Sequence, residues 1–168
     1  MPNYVGNSII VIGPEQEISR LVGHCFRPIE IEDDDGDYDE TEVEFGFDTV
    51  IPIDAAALDA AAGAGECDAL YRRHWGTNRD ALDSTIIDRR PGYLHFEFIT
   101  ASDLPEPVYR ELGRTFPALE FDIAAMDPGA SWAVTGRVMG REASFDAADL
   151  SAVYERIYKE PLPVNQRA

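Results

Sequence analysis

Cysteine is scarce in this chain: Cys25 and Cys67 are the only two among 168 residues. Two cysteines are too few for the disulfide framework of a small secreted protein. The first 14 residues carry no charge, so they lack the basic segment that opens a secretory signal peptide. We therefore expect reduced thiols, a cytoplasmic location and an N-terminus that begins directly with a strand.

Basic residues are also few, with 14 Lys and Arg against 32 Asp and Glu and a net charge of -18. A nucleic-acid binder needs a basic surface that neutralises phosphates, so we expect no direct nucleic-acid binding. Ten of the acids lie between Glu30 and Glu44, where there is no base, and without them the net charge would be -8. The run predicts a solvated loop, and its charge favours a protein partner with a basic surface.

Long apolar runs are missing as well, because none approaches the roughly 20 residues that cross a membrane. The hydrophobic content of 45% and the aromatic content of 10% are those of a globular protein. We expect no membrane partner. We predict a single domain over 1–168, in which 27–83 are an insertion and 142–168 are a C-terminal helix and tail.

Hydrophobic periodicity predicts the order of strands and helices. The predicted strands are Tyr4–Ile12, Ser84–Asp88, Tyr93–Thr100, Ala118–Met126 and Ser131–Met139. The predicted helices run from Pro14 to before Pro28, over 55–62, from Asp103 to before Pro117, and through Leu150 to Tyr158. Extended chain is predicted from Phe45 to Ile53, and Ser144 or Asp146 is predicted to cap the last helix. Along Tyr93–Thr100, Leu94, Phe96 and Phe98 alternate with His95 and Glu97.

This order predicts an α+β fold, specifically a ferredoxin-like βαββαβ sandwich. Its sheet is expected to be mainly antiparallel, with helices on one face. A long insertion follows the first helix, and an extra strand and helix are added at the C-terminus.

The segment from His74 to Asp80 combines an indole, a glycine and four consecutive polar side chains. One hypothesis makes it the wall of a polar pocket or partner surface, with Arg79 as the anchor. The binding residues are then His74, Trp75, Thr77, Asn78, Arg79 and Asp80. The structural alternative has Trp75 fill a gap between insertion and sheet while Gly76 makes the turn and the polar side chains cap it.

Catalytic signals are weak, and no catalytic residue is identified from a motif. His95 and Glu97 share one strand face, which leaves open a small hydrolase or transferase with a site near His74, Arg79, His95 and Glu97. Asp33, Asp35, Asp37 and Glu44 resemble a calcium loop, but Tyr38 stands where that loop requires glycine. We expect no bound metal and no cofactor.

Several short motifs resemble the YubB ferredoxin-like family, bacterial proteins found on plasmids, phages and other mobile elements. The motifs are Met1-Pro2-Asn3, Asn7, Gly13-Pro14, Phe47 to Pro52, Trp75-Gly76-Thr77, Phe98-Ile99-Thr100-Ala101, Phe116-Pro117 and the hairpin through Gly136. The resemblance implies a ferredoxin-like fold and no particular activity. The chain departs from the family at Asn78 and Arg79, where the family usually has Lys-Trp. It also has Asp103-Leu104 where the family usually has an aromatic residue before its prolines.

Three functions are therefore expected in this order. The first is a small non-enzymatic protein-interaction or regulatory module of mobile genetic elements, with homodimerisation through the sheet left open. The second is an acidic decoy whose 30–44 run imitates nucleic-acid phosphate. The third is the hydrolase or transferase.

Overall fold

The computed structural model describes residues 3–29, 31–32, 38–39, 43–61 and 63–163. The strands are Tyr4–Ile12 (β1), Phe26–Pro28 (β2), Ile31–Glu32 (β3), Tyr38–Asp39 (β4), Val43–Phe45 (β5), Leu82–Arg90 (β6), Tyr93–Ala101 (β7), Glu120–Met126 (β8), Ala133–Met139 (β9) and Glu142–Ala147 (β10). The helices are Glu15–Cys25 (α1), Phe47–Val50 (α2), Ala55–Ala60 (α3), Ala64–Trp75 (α4), Glu106–Thr115 (α5) and Leu150–Tyr158 (α6).

Six strands form one antiparallel sheet in the order β10-β9-β8-β1-β7-β6. Strand β1 is central and pairs with β7 from Tyr4↔Ala101 to Ile12↔Tyr93. Its other edge pairs with β8 from Gly6↔Met126 to Ile12↔Glu120. The prediction of a mixed α+β fold with a mainly antiparallel sheet is confirmed.

One side of the sheet, here called the inner face, carries the main core. Successive side chains of a strand point to opposite faces, and Leu94, Phe96 and Phe98 all lie in this core. Helices α1 and α5 pack there because each has an apolar stripe at helical spacing. The buried residues of these stripes are Ile18, Leu21 and Cys25 in α1 and Val108, Tyr109 and Leu112 in α5.

The opposite side, here called the outer face, is partly covered by α6. Arg156 of α6 donates to the Ser8 carbonyl oxygen at 3.0 Å, and a Cβ added to Gly6 would lie 3.0 Å from Ile157 Cγ2. Glycine at position 6 thus lets the helix approach β1 closely. The prediction that helices cover only one face is wrong, because α6 packs on the second.

The insertion differs from its prediction between Phe45 and Ile53. The chain there forms the helical turn α2, where extended chain was predicted. The Phe47 N–H donates to Asp80 Oδ1 at 2.6 Å, and Thr49 Oγ1 donates to the Gly46 carbonyl oxygen at 2.6 Å. Because Asp80 lies 33 residues away, the turn depends on a tertiary contact that local periodicity does not contain.

The C-terminal part also contains a strand, β10, that was not predicted. Ser144 and Asp146 lie in this strand, so the prediction that either caps the last helix is wrong. Asp149 is the cap, and its carboxylate accepts the Ala152 N–H at 2.9 Å. Similarly, α5 begins at Glu106, after Pro105, and not directly after Asp103.

The acidic run from Glu30 to Glu44 lies mostly outside the described residues, and with it the calcium-loop and decoy hypotheses. Within this run the structure describes the paired strands β3 and β4 and the start of β5. None of the helices among the described residues is long and apolar enough to span a bilayer.

Candidate functional site

The central segment His74–Asp80 begins where α4 ends. Gly76 follows Trp75 with a left-handed backbone, at a φ of 81°, that favours glycine. A Cβ at this position would lie 2.9 Å from Pro107 Cδ and 3.1 Å from the Leu104 carbonyl oxygen. Only glycine therefore suits both the turn and the close packing of α4 against the start of α5.

Trp75 joins the insertion to the core. Its side chain is buried, its Nε1 donates to the Ile51 carbonyl oxygen at 2.9 Å, and its ring stacks on Tyr71 with centroids 4.9 Å apart. Phe47 meets the indole edge-on at 5.9 Å. These contacts satisfy the indole N–H and bury its ring, which is the structural role that the sequence offered as one alternative.

Three polar side chains of the segment, those of His74, Thr77 and Asp80, bond to backbone groups. Thr77 Oγ1 donates to the Arg79 carbonyl oxygen at 2.7 Å, and Asp80 Oδ1 accepts the N–H groups of Phe47 and Ala81. Burial raises the pKa of the Asp80 carboxyl, and the two N–H donors act in the opposite direction. His74 Nδ1 lies 2.9 Å from the Leu70 carbonyl oxygen within α4.

A pocket of about 430 Å³ remains beside this segment. Of the six predicted binding residues, Trp75, Arg79 and Asp80 line it, and His74, Thr77 and Asn78 do not. The other lining residues are Asp48, Ile53, Leu58 and Tyr71. The structure thus brings half of the predicted set to one small pocket. Of the other three, His74 bonds within α4, Thr77 bonds within the turn, and Asn78 Oδ1 is buried without a hydrogen-bond partner among the described residues.

His95 and Glu97 lie on the outer face, whereas Trp75, between His74 and Arg79 in the chain, belongs to the inner-face core. The hydrolase or transferase hypothesis required all four side chains to meet. Arg79 lines a pocket with Trp75, whereas Glu97 lines a different cavity on the outer face, so neither of these pockets holds all four side chains. In addition, no three His, Cys, Asp or Glu side chains among the described residues are placed to hold a metal ion.

On the outer face, His95 belongs to a polar cluster under α6. Its Nε2 lies 2.9 Å from Ser8 Oγ and 3.2 Å from Glu97 Oε1. Arg156 donates from Nε to Ser8 Oγ and also pairs with the Asp122 carboxylate, and Lys159 Nζ lies 2.6 Å from Glu97 Oε1. These contacts tie α6 to three strands of the sheet, β1, β7 and β8.

This cluster does not have the geometry of a catalytic triad. In a triad the carboxylate contacts Nδ1 and the hydroxyl contacts Nε2, whereas here Glu97 and Ser8 share Nε2. Ser8 is also fully buried, so no substrate reaches its hydroxyl. Burial lowers the pKa of His95, Glu97 opposes this, and the positive charges of Lys159 and Arg156 lower it further.

The thiols fit catalysis no better. Cys25 is buried in the core, and burial raises the pKa of its thiol to about 12, so the reactive thiolate is absent at neutral pH. Cys67 is half-buried and donates from its thiol to the Ala61 carbonyl oxygen at 3.0 Å.

A larger cavity, here called the outer groove, lies on the outer face between α6 and the edge strand β6, with a volume of about 490 Å³. Strands β1, β6 and β7 contribute Tyr4, Gly6, Asn7, Asp83, Thr85, Ile87, Glu97, Phe98 and Ile99, and the opposite wall is Pro128, Ile157 and Tyr158. Tyr4, Ile87 and Tyr158 are 41%, 44% and 37% exposed, so large apolar surfaces at the groove face solvent. Apolar surface gathered in this way marks binding sites.

The charged side chains that line the groove are both acidic. Asp83 and Glu97 line it, and its lining contains no Lys, Arg or His within the described part of the chain. Asp83 has a left-handed backbone, with a φ of 48°, at a register shift between Leu82 and Thr85. This bulge changes the course of the edge strand beside the groove.

Sequence reasoning missed the groove because its members come from distant parts of the chain. Tyr4 and Gly6 alternate with the core residues of β1, and this period-two pattern was the one available signal that they share a second face. Nothing in the sequence placed Ile87 or Tyr158 beside them. Of the candidate residues singled out earlier, only Glu97 lines the groove.

Comparisons with known proteins bear on the fold. No family model matches the chain, and no curated protein matches it. Among solved structures, the chain is similar to the crystal structure of the protein api92 from Yersinia pseudotuberculosis, of the family DUF1281. The TM-score is 0.61 and the identity 10%, over 89% of this chain and 99% of that chain. At this identity the likeness supports the mixed α+β architecture alone.

Proposed function

We propose that this protein is a non-enzymatic protein-interaction module and that the outer groove is its binding surface. The observation that carries the proposal is the exposure of Tyr4, Ile87 and Tyr158 around one cavity. Tyrosine is favoured at interfaces because it buries a large ring and keeps a polar tip. The groove volume of about 490 Å³ is sufficient to receive apolar side chains of a partner.

The same face argues against an enzyme. Its Ser8, His95 and Glu97 connect α6 to the sheet, and the hydroxyl that would act as nucleophile is buried. A regulatory role needs a defined surface and no reacting groups, which is what the outer groove offers.

We propose further that β1, β6, β7 and β8 with α1 and α5 form a ferredoxin-like core. The order β8-β1-β7-β6 supports this, because in that fold the fourth strand pairs with the first and the third lies between the first and second. Strands β9 and β10 and α6 are then additions. The motifs that resemble the YubB family, Trp75-Gly76-Thr77 among them, support the proposal that the protein is encoded on a mobile genetic element.

The proposal is tested by placing a photo-crosslinking amino acid at Ile87, beside the groove, and at Asp146, which is exposed on the opposite edge strand β10. In cells that carry the gene's native neighbourhood, the Ile87 variant should yield a discrete adduct and the Asp146 variant none. Equal adducts from both positions, or none from Ile87, would contradict the proposal.

A third variant separates the acidic decoy from the groove. The decoy hypothesis assigns the partner contact to residues 30–44, so their deletion should abolish the Ile87 adduct if it is correct. If the partner binds in the groove, the adduct persists after the deletion.

A further inference from the structure

We infer that the outer groove receives a protein segment in which one lysine or arginine is flanked by apolar side chains. This inference rests on the proposed function and specifies the chemistry of the partner. Two features of the groove support it. Its walls are apolar, and its two carboxylates have oxygen atoms that accept no hydrogen bond from the described residues.

The walls of the groove suit the flanking apolar side chains. Ile99 lies on the sheet, Ile157 and Pro128 form the opposite wall, and the exposed rings of Tyr4 and Tyr158 stand beside them. Tyrosine rings also attract a cation through the negative face of the ring. An apolar segment would therefore be held by burial, and a cation would find aromatic faces as well as carboxylates.

The carboxylates require a positive charge in whatever covers them. The Asp83 carboxylate makes no hydrogen bond or ion pair with any other described residue. Glu97 uses Oε1 for Lys159 and His95, and its Oε2 accepts nothing from the described residues. Lys159 already pairs with Glu97, but a purely apolar occupant would take the Asp83 carboxylate out of water without compensation, which is costly. A lysine or arginine would compensate Asp83, approach the free Oε2 of Glu97 and bury its own methylene groups along the walls.

Lys159 provides an internal example of this contact. It extends from the end of α6, and its Nζ lies 2.6 Å from Glu97 Oε1 beside the groove. A partner cation would approach the free side of the same carboxylate and Asp83. Acidic partners are disfavoured by the same two groups and by the net charge of -18.

The test measures fluorescence anisotropy of the full chain with three labelled peptides, Ser-Leu-Ile-X-Leu-Ile-Ser, where X is lysine, norleucine or glutamate. Norleucine keeps the apolar stem of lysine and removes its charge. We expect the lysine peptide to bind about tenfold more tightly than the norleucine peptide at low salt, with glutamate weakest, since a charge pair with the exposed Asp83 and a second with the partly buried Glu97 each contribute a few-fold. The advantage should shrink in 1 M NaCl because salt screens it.

Two variants assign this advantage to the groove. Asp83→Asn should reduce it about threefold, and asparagine tolerates the left-handed backbone at that position. Asp146→Asn removes the same charge from the far edge of the sheet and should leave it unchanged. An equal reduction by both variants would mean that net charge alone acts, and the inference would be overturned.

The remaining outcomes separate this inference from the proposed function. Equal binding of the lysine and norleucine peptides, lost in Tyr158→Ala, would overturn the requirement for a cation and leave the groove as an interaction site. Tightest binding of the glutamate peptide, or no binding of any peptide while the Ile87 adduct stands, would also overturn the inference. Loss of the Ile87 adduct itself contradicts the proposed function instead.

Discussion

The two faces of the sheet differ in how their conspicuous residues are used. On the inner face, the unusual His74–Asp80 segment has a structural role. Trp75 is buried in the core, and the side chains of Thr77 and Asp80 form hydrogen bonds to backbone groups. On the outer face, residues that are ordinary in sequence, such as Tyr4 and Ile87, remain exposed around a cavity. A distinctive local motif can thus mark a structural joint, whereas a binding surface can be assembled from residues without any motif.

Replacement of Trp75 by alanine should produce the largest effect. Removing a buried indole creates a cavity and leaves the Ile51 carbonyl oxygen without its donor, so we expect the free energy of unfolding to fall by about 3–5 kcal/mol. The matched control is Trp132→Ala, because Trp132 is only half-buried. Urea denaturation measures both, and similar losses would contradict the special role of Trp75.

Gly76→Ala tests the joint at its turn. Alanine disfavours the φ of 81°, and its Cβ would contact Pro107, so we expect a loss of about 2 kcal/mol. The control is Gly23→Ala in α1, where the structure has open space around the added Cβ and helix propensity predicts a gain of about 0.5–1 kcal/mol. Thermal denaturation should show a lower melting temperature for Gly76→Ala and a higher one for Gly23→Ala. A change in the same direction in both variants would contradict the role of Gly76 in the turn.

On the outer face, Arg156→Ala tests the attachment of α6. The guanidinium donates to the carbonyl oxygens of Ser8 and Asp122, and we expect its removal to cost about 1–3 kcal/mol and to speed hydrogen exchange in α6. Arg137, whose side chain is 65% exposed, pairs with Glu120, so Arg137→Ala should cost about 0–1 kcal/mol. Comparable effects of the two variants would show that α6 is held by its apolar contacts alone.

The smallest predicted effect concerns pH. The pKa of His95 falls on folding below its ordinary value of 6.5, so neutral His95 contributes stability above that pH and the contribution is lost as pH falls. The free-energy difference between the wild type and His95→Gln should therefore shrink from about pH 7.5 to about pH 5. Glu97, Lys159 and Arg156 are the charged groups facing this ring.

The control for this prediction is His24→Gln, on the exposed side of α1. This variant measures, over the same pH range, the effect of replacing a histidine that lies outside the Ser8 and Glu97 contacts. A difference for His95→Gln that grows as pH falls would contradict the assigned sign.

Local patterns were sufficient for much of the fold. Alternation in Tyr93–Thr100 predicted which residues enter the core, and periodicity predicted the strands Ala118–Met126 and Ser131–Met139, which the structure contains as β8 and β9. The turn α2 could not be predicted, because its first N–H bonds to the distant Asp80. Strand β10 was missed because Ser144 and Asp146 are also typical helix caps.

The candidate site was harder to predict than the fold. Helical periodicity did place Tyr158 on α6, but it gave no information about the sheet face on which that helix packs. Asp83 lines the groove because β6 contains a bulge between Leu82 and Thr85. No glycine, proline or asparagine in this segment predicts that bulge. Tertiary packing, and not local preference, therefore created the outer groove.

The central claim is that the outer groove binds the partner and that the His74–Asp80 segment does not. The most direct measurement is the yield of the Ile87 photo-adduct in two backgrounds, Tyr158→Ala in the groove and Arg79→Ala in the segment. We predict that Tyr158→Ala lowers the yield at least about fivefold, as expected for an interface aromatic, and that Arg79→Ala leaves it unchanged. Loss of the adduct in Arg79→Ala with retention in Tyr158→Ala would contradict the claim.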